Sequence, residues 1–389
     1  MKRLSEEKGV VLVMALMFLL VLGLLGMSSI NSTLYDSQIS GNKRVSEQAF
    51  YAAEAGIQEV VGRFRPDATG EIEDINPLNP NWRRFIALSP DQAAKVGYVS
   101  STNHLFFQSL QTRLDFAVEL RHKVNIANAV VTRDGHPVYL VTSLGVTPER
   151  GQKRIEAELN PRPNLNPGGA LYSEQPVTLH GSSTYIQGMD QCGGNDVPGV
   201  AITLSLSSDP VTIDGSPTIE GNPAIQYDTP NRNLREMVEY LRKDANFSYA
   251  YGSNQTLTGM SDQWGIPSSS GTTTPLSYSG SLNIVYFNMG GNKTLKLAGG
   301  SHGAGILLVD GNLDLNGGFT WYGHVIVTGA LDFTGGGEKN ITGGVMTGES
   351  PTVEVDVGGN AAIIYCSGVQ LQLENLVTPV RMTRWREVY

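Results

Sequence analysis

Leu295-x-Leu297-x-Gly299-Gly300 recurs as Leu313-x-Leu315-x-Gly317-Gly318 and again as Leu331-x-Phe333-x-Gly335-Gly336, each copy 18 residues after the one before. The same offset carries 307–309 onto 325–327, and Gly305 and Gly311 onto Gly323 and Gly329. So regular a period implies successive turns of chain stacked strand on strand at about 4.8 Å, aliphatic side chains inward and glycines at the corners. One such turn buries too little apolar surface to offset its own ordering, so the turns must fold together. Weaker copies extend the array: Val177-Thr-Leu179-His-Gly181-Ser182 and Val211-Thr-Ile213-Asp-Gly215-Ser216 lie 34 residues apart. Ile219, Ala224 and Ile225 suit the start of a further turn, and Val353, Val355 and Val357 with Ile363, Ile364 and Tyr365 suit its close. The expectation for 170–389 is an all-β, right-handed parallel β-helix or solenoid.

Two stretches interrupt this pattern. Residues 231–245 place Leu234, Met237, Val238 and Leu241 on one helical face, which predicts a helical insertion at about 229–247 that covers the flank or an open end of the array. Residues 248–280, rich in Ser, Thr, Gly and Tyr, read as a surface loop. Upstream, the Pro- and Asn-rich segment 161–169 reads as a linker.

The N-terminus follows a different rule. After the short leader 1–9, residues 10–30 form a largely apolar run of 21 residues without a charge, about 31 Å long as a helix and enough to cross a bilayer core. Lys2, Arg3 and Lys8 precede it, so the positive-inside tendency leaves the leader in the cytoplasm and sends the rest across the membrane. A cleaved secretory signal would have a shorter core ended by small residues. Here 31–64 contains no proline and stays helix-forming up to Pro66, which predicts one continuous helix over 10–64. Its second half carries an apolar stripe of Ile39, Val45, Ala49, Ala52, Ala53, Gly56, Ile57, Val60, Val61 and Phe64, suited to lie on a sheet. Gly23 and Gly26 permit close helix packing within a membrane. Residues 66–81 read as a loop, with a short helix around Phe85, Ile86 and Leu88. Strand alternation then follows over 114–124, 138–144 and 154–159, so 31–160 is expected to be a helix packed on an antiparallel meander.

Lys8-Gly9 directly before the apolar run resembles the prepilin-peptidase signal of type IV pilins. Together, 9–30 and the later Ala-Phe-Tyr-Ala-Ala-Glu-Ala-Gly-Ile-Gln-Glu-Val of 49–60 resemble the N-terminal signature of PilX-type minor pilins, over about residues 8–64. The resemblance implies an α+β pilin module, cleavage between Gly9 and Val10 with Lys8 before them, methylation of the new amino terminus, and a helix that packs through Leu12, Leu16, Leu20 and Leu24 in membrane and filament. It also implies partners: the prepilin peptidase, other minor pilins and the major pilin, membrane lipid before assembly, and a large PilC/PilY-type tip adhesin. The body would begin in the periplasm on an inner-membrane anchor and move to a pilus at the cell surface. Major pilins carry a glutamate at the fifth position after the scissile glycine, and here that position is Met14. PilX-type minor pilins and the K-type pseudopilin of type II secretion can also lack it, which points to a minor, tip-located subunit. Glu54, in the second motif, is either a contact to a neighbouring pilin or part of a solvated helix face.

Composition bounds the remaining classes. With 45 glycines and 17% charged residues the chain suits turn-rich β-structure, and a net charge of −9 without a basic stripe excludes a phosphate-binding surface and so a nucleic-acid partner. Two cysteines, Cys192 and Cys366, either pair in an oxidising compartment or are buried as small apolar side chains. Asp314 and Asp332, one repeat apart with Glu338 near, are the candidate carboxylates for a carbohydrate-active site or Ca²⁺, but they alternate with Leu313, Leu315, Leu331 and Phe333 and so fall on the solvated outer face. His302 and His324 make no metal-ligand spacing with a cysteine, and no nucleophile elbow, phosphate loop or H-E-x-x-H is present. No catalytic residue, metal or cofactor is expected. The leading reading is a PilX-like subunit acting in initiation or tip assembly of a type IV pilus. A type II secretion pseudopilin and a membrane-anchored β-helix carbohydrate-binding or carbohydrate-active protein are the alternatives.

Overall fold

The computed structural model describes residues 4–63, 104–107, 115–127, 129–133, 136–260, 263–268, 273–348 and 355–388. The loop expected at 66–81 and the short helix at 85–88 lie outside the described residues. The chain divides into two compact units.

Unit one comprises Met1–Val124, Tyr139–Leu159 and Met382–Tyr389. A single helix, α1 (Leu4–Arg63), runs through 60 residues that contain no proline. Among the described residues its second half lies on a sheet of five strands in the order His104–Phe107, Asp115–His122, Tyr139–Val146, Gln152–Pro161 and Val380–Val388. The first four pair antiparallel in succession. Ala49, Ala52, Ala53, Ile57 and Val60 on the helix and Phe116, Val118, Val141, Ile155, Ala157 and Leu159 on the sheet are buried. Small residues allow a close approach: a Cβ on Gly56 would stand 2.2 Å from Ser143 Oγ, and one on Gly145 would stand 2.0 Å from the carbonyl oxygen of Ala49. Ile39, placed on the same stripe by the sequence, is 65% exposed.

The fifth strand is a correction. Residues 382–389, assigned by sequence to the array, belong to unit one. Arg386 donates to Glu156 Oε2 through Nε at 2.9 Å and Nη2 at 2.5 Å, Lys153 pairs with Glu387, and Trp385 meets Phe50 edge-on at 5.8 Å. Strand alternation in this stretch is obscured by Arg384, Trp385 and Arg386, whose partners are more than two hundred residues earlier.

Unit two, Asn125–Val138 with Asn160–Arg381, is built on two parallel sheets of 11 and 7 described strands. The chain alternates between them: Ser301–Asp310 in the larger is followed by Asn312–Asn316 in the smaller, Phe319–Val327 by Leu331–Phe333, and Lys339–Thr347 by Val355–Val357. Leu313 pairs with Leu295 and Leu331, and Gly323 with Gly305 and Gly343. Leu297, Leu315, Phe333 and Val357 are all at 0% exposure in the shared core.

Stacking order departs from chain order. The first layer, Leu171–Ser173, Val177–His180 and Tyr185–Gln187, pairs on one side with Val200–Ile202, Val211–Asp214 and Thr218–Glu220. On its other side it pairs with Lys339–Thr347, Val355–Val357 and Ala361–Tyr365. Instead of closing a free end, the late strands dock on the first layer. The stack ends at 200–226 in one direction and at Phe247–Ala250 with Gln255–Thr258 in the other. The stretch expected to be a surface loop at 248–280 therefore contributes an end layer, paired Tyr249 with Phe287 and Leu257 with Leu297. Its offset of 38 to 40 residues and its polar Gln and Thr hid it from the 18-residue pattern.

Helix α2 (Leu234–Leu241) forms within the predicted insertion and buries Leu234, Met237, Val238 and Leu241, the face its spacing defines. With α3 (Ser367–Glu374) it shares a second core with Ile284, Ala304, Ile306, Leu308, Ile326 and Met346, on the outer face of the larger sheet. Hence Phe319–Val327 is buried on both faces, whereas Asn312–Asn316 in the smaller sheet alternates buried and half-exposed residues. The segment 161–169, read as a linker, is packed instead: Leu165 enters the α2/α3 core, and Arg162 donates to Glu374 Oε2 at 2.5 Å.

Candidate functional site

Nothing among the described residues gathers a catalytic constellation, and the feature that stands out is the first half of α1. Its apolar side chains from Val11 to Ile30 are between 51% and 69% exposed. Leu12, Leu16, Leu20 and Leu24 are among them at 60–65%, as is Met14 at 57%. An apolar surface of this length is stable only against lipid or other apolar helices, and α1 is long and apolar enough to cross a membrane. The backbone at Lys8, Gly9 and Val10 is already helical, within Leu4–Arg63. Glu54 is half-buried beside the Ala and Gly residues that press on the sheet.

The candidate carboxylates are on the outer face of the smaller sheet. Asp314, Asp332 and Asp356 stack in register. Asp314 accepts from Lys296 Nζ at 2.8 Å, Asp332 accepts from Thr334 Oγ1 at 2.5 Å and its backbone N–H at 3.2 Å, and Asp356 lies 2.9 Å from His180 Nε2. Glu338 is exposed. Asp314 is salt-bridged and Asp332 caps a turn, contacts that offset the repulsion of a ladder of like charges without forming a proton-transfer pair. His302 is by the carbonyl of Gly300 at 3.2 Å.

His324 is fully buried on the opposite sheet. Its Nε2 lies 2.9 Å from Gln370 Oε1, while Gln370 Nε2 donates to Glu374 Oε1 at 2.9 Å. An amide oxygen only accepts, so Nε2 carries the proton and Nδ1 is left without a hydrogen-bond partner among the described residues. Burial lowers the pKa of His324 to about 4, against the hydrogen bond it donates to Gln370, which raises it, and with the nearby positive charge of Arg232, which lowers it further. Sequence spacing gave no sign of this residue's setting, because Gln370 is contributed by a helix of eight residues with weak amphipathy.

Cys192 and Cys366 form a disulfide, with Cα atoms 5.2 Å apart. Asp190 beside it accepts from Ser367 N–H at 3.0 Å, Ser367 Oγ at 2.5 Å, Cys192 N–H at 3.0 Å and Gly194 N–H at 2.5 Å. Burial raises its pKa, but these donors outweigh burial and hold the carboxyl below its ordinary range. Asp190 thus caps α3 from another segment, at the end where the helix dipole favours a negative charge. Asp190 and the two sulfurs lie within 4.8 Å of one another, but sulfurs bonded to each other offer no thiolate to a metal.

Residues 8–58 match the family model described as PilX N-terminal. No curated protein matches the chain. Among solved structures the chain is similar to the competence-associated pilin ComZ from Thermus thermophilus at 12% identity, over 89% of this chain and 96% of that one, with a TM-score of 0.23. The segment from Lys8 to Gln58, by its family match and its helix, is a type IV pilin-like N-terminal region of the PilX type.

Proposed function

We propose that the chain is a PilX-like minor pilin acting in initiation or tip assembly of a type IV pilus. The carrying observation is α1: one helix whose first half is apolar and uncovered and whose second half is docked on a sheet, in the segment that matches the family model. On this reading the leader is cytoplasmic, a prepilin peptidase cuts after Gly9, and Val10 becomes a methylated N-terminus. The helix then holds the body at the periplasmic face of the inner membrane until it packs against major and minor pilins. Met14 leaves the amine of a subunit above without a carboxylate, and an unpaired buried charge is costly, which favours a position with nothing stacked above it. The parallel sheets of unit two are read as a β-solenoid carried at that position, with a PilC/PilY-type adhesin as neighbour. The protein works by contact rather than catalysis.

Mass spectrometry of the mature protein tests this: an N-terminus at Val10 is expected, and Gly9→Leu should leave the leader attached. Leu16→Arg or Leu20→Arg should abolish insertion or assembly, whereas Asp314→Ala with Asp332→Ala should leave piliation intact. An intact leader on protein recovered from pili would overturn the reading, and uniform labelling along the filament would overturn the tip position.

A further inference from the structure

The two ends of the parallel stack differ in a way that identifies what fits one of them. At the 200–226 end the strand orders stop at Val211–Asp214 and Thr218–Glu220, so among the described residues each of these two strands has a ladder partner on one side only. Ile213, which is in register with the buried Leu179, is 51% exposed, and Leu206 nearby is 61% exposed. Ile219 and Ile225 are half-buried against the core. A free backbone edge next to uncovered inward side chains is the surface that accepts an added strand.

Charge defines the occupant. From 181 to 231 the chain has six acidic residues and no Lys, Arg or His. Of these, Asp209, Asp214 and Asp228 are exposed around this end. The interior of the same sheet shows how such a layer is satisfied: Lys296 of one strand pairs with Asp314 of the next at 2.8 Å, while Leu295 and Leu297 stack on Leu313 and Leu315. A strand laid beside Val211–Asp214 in the same manner needs an apolar residue over Ile213 and a cation facing Asp214. The opposite end of the stack does not provide this, because 245–260 contains no charged residue, so a second copy stacked end to end lacks the cation.

We propose that the 200–226 end of unit two is a docking edge for an extended segment of a partner protein in which apolar residues alternate with lysine or arginine. The inference depends on unit two alone and stands whether or not the pilus reading holds.

The test uses the full chain in detergent and a fluorescent peptide, Thr-Leu-Lys-Leu-Lys-Thr, followed by anisotropy. The expected result is binding that Ile213→Lys and Asp214→Lys each weaken at least tenfold, and that a peptide with glutamate in place of lysine does not show. Both positions are exposed, and unchanged thermal unfolding of Asp214→Lys excludes misfolding as the cause. Asp332→Asn, on the same outer face but inside the stack, should bind as the unaltered chain does. No binding, binding by the Ile213→Lys or Asp214→Lys variant as tight as that of the unaltered chain, or equal loss in Asp332→Asn would overturn the proposal. Self-association that Ile213→Lys abolishes, without peptide binding, would assign the edge to a second copy instead.

Discussion

Gly305, Gly323 and Gly343 show how far a single atom decides this fold. They pair in register across three layers with φ values of +121°, +133° and +139°. A Cβ on Gly323 would stand 1.8 Å from the carbonyl oxygen of Gly305, and one on Gly343 would stand 2.2 Å from that of Gly323. Both the backbone conformation and the space exclude a side chain, so Gly323→Ala should destabilise unit two by about 3 kcal/mol or more. Gly336→Ala, where a Cβ meets nothing within 4 Å, should be near neutral; thermal unfolding and limited proteolysis of the two variants measure the contrast. The 18-residue repeat made this ladder legible in advance, since it aligned Gly305 with Gly323 before any pairing was known. It could not reveal that Gly56 and Gly145 serve helix-to-sheet contact, because that contact joins residues of unrelated pattern.

Among elements, α3 is held by groups that respond to pH and to reduction. The folded-state pKa of His324 lies near 4 and its unfolded value near 6.5. A group whose folded value is depressed by burial in its neutral form takes up protons more readily when unfolded, so its contribution is fully present above about pH 6.5 and is lost as pH falls toward 4. Protonation would also place a second cation near Arg232 and give Nδ1 a proton with no acceptor. The melting temperature of unit two should therefore fall between pH 6.5 and 4, and His324→Gln should flatten that slope. Asp190 acts in a lower window: its carboxyl is held below the ordinary value, so the cap on α3 is kept above about pH 4 and lost only in stronger acid. Asp190→Asn should cost about 1 kcal/mol at neutral pH, read by denaturant unfolding with the disulfide intact. Neither dependence was visible in the sequence. The amphipathic spacing of α2 identified its buried face, whereas α3 has no strong periodicity and its partners are remote in the chain.

At the scale of the whole molecule, the sheet of unit one is completed by a strand that follows unit two in the chain. Arg162 N–H donates to the carbonyl of Pro379 at 2.9 Å, so the two ends of the 160–381 segment of unit two lie side by side. Arg386→Glu sets like charges opposite Glu156 and should loosen Val380–Val388, making that strand sensitive to limited proteolysis while the stack of unit two persists; hydrogen exchange would locate the change. Strand pairing across such a separation leaves no local signal, and neither does the docking of late strands on the first layer, whose partners lie more than 170 residues apart in the chain. This topology makes one sheet depend on two segments far apart in the chain. In the folded chain Val380–Val388 lies beside Gln152–Pro161, and Pro379 is back beside Arg162. Without Val380–Val388 the Gln152–Pro161 edge of unit one would stand unpaired, the kind of open edge at which strands of other chains add.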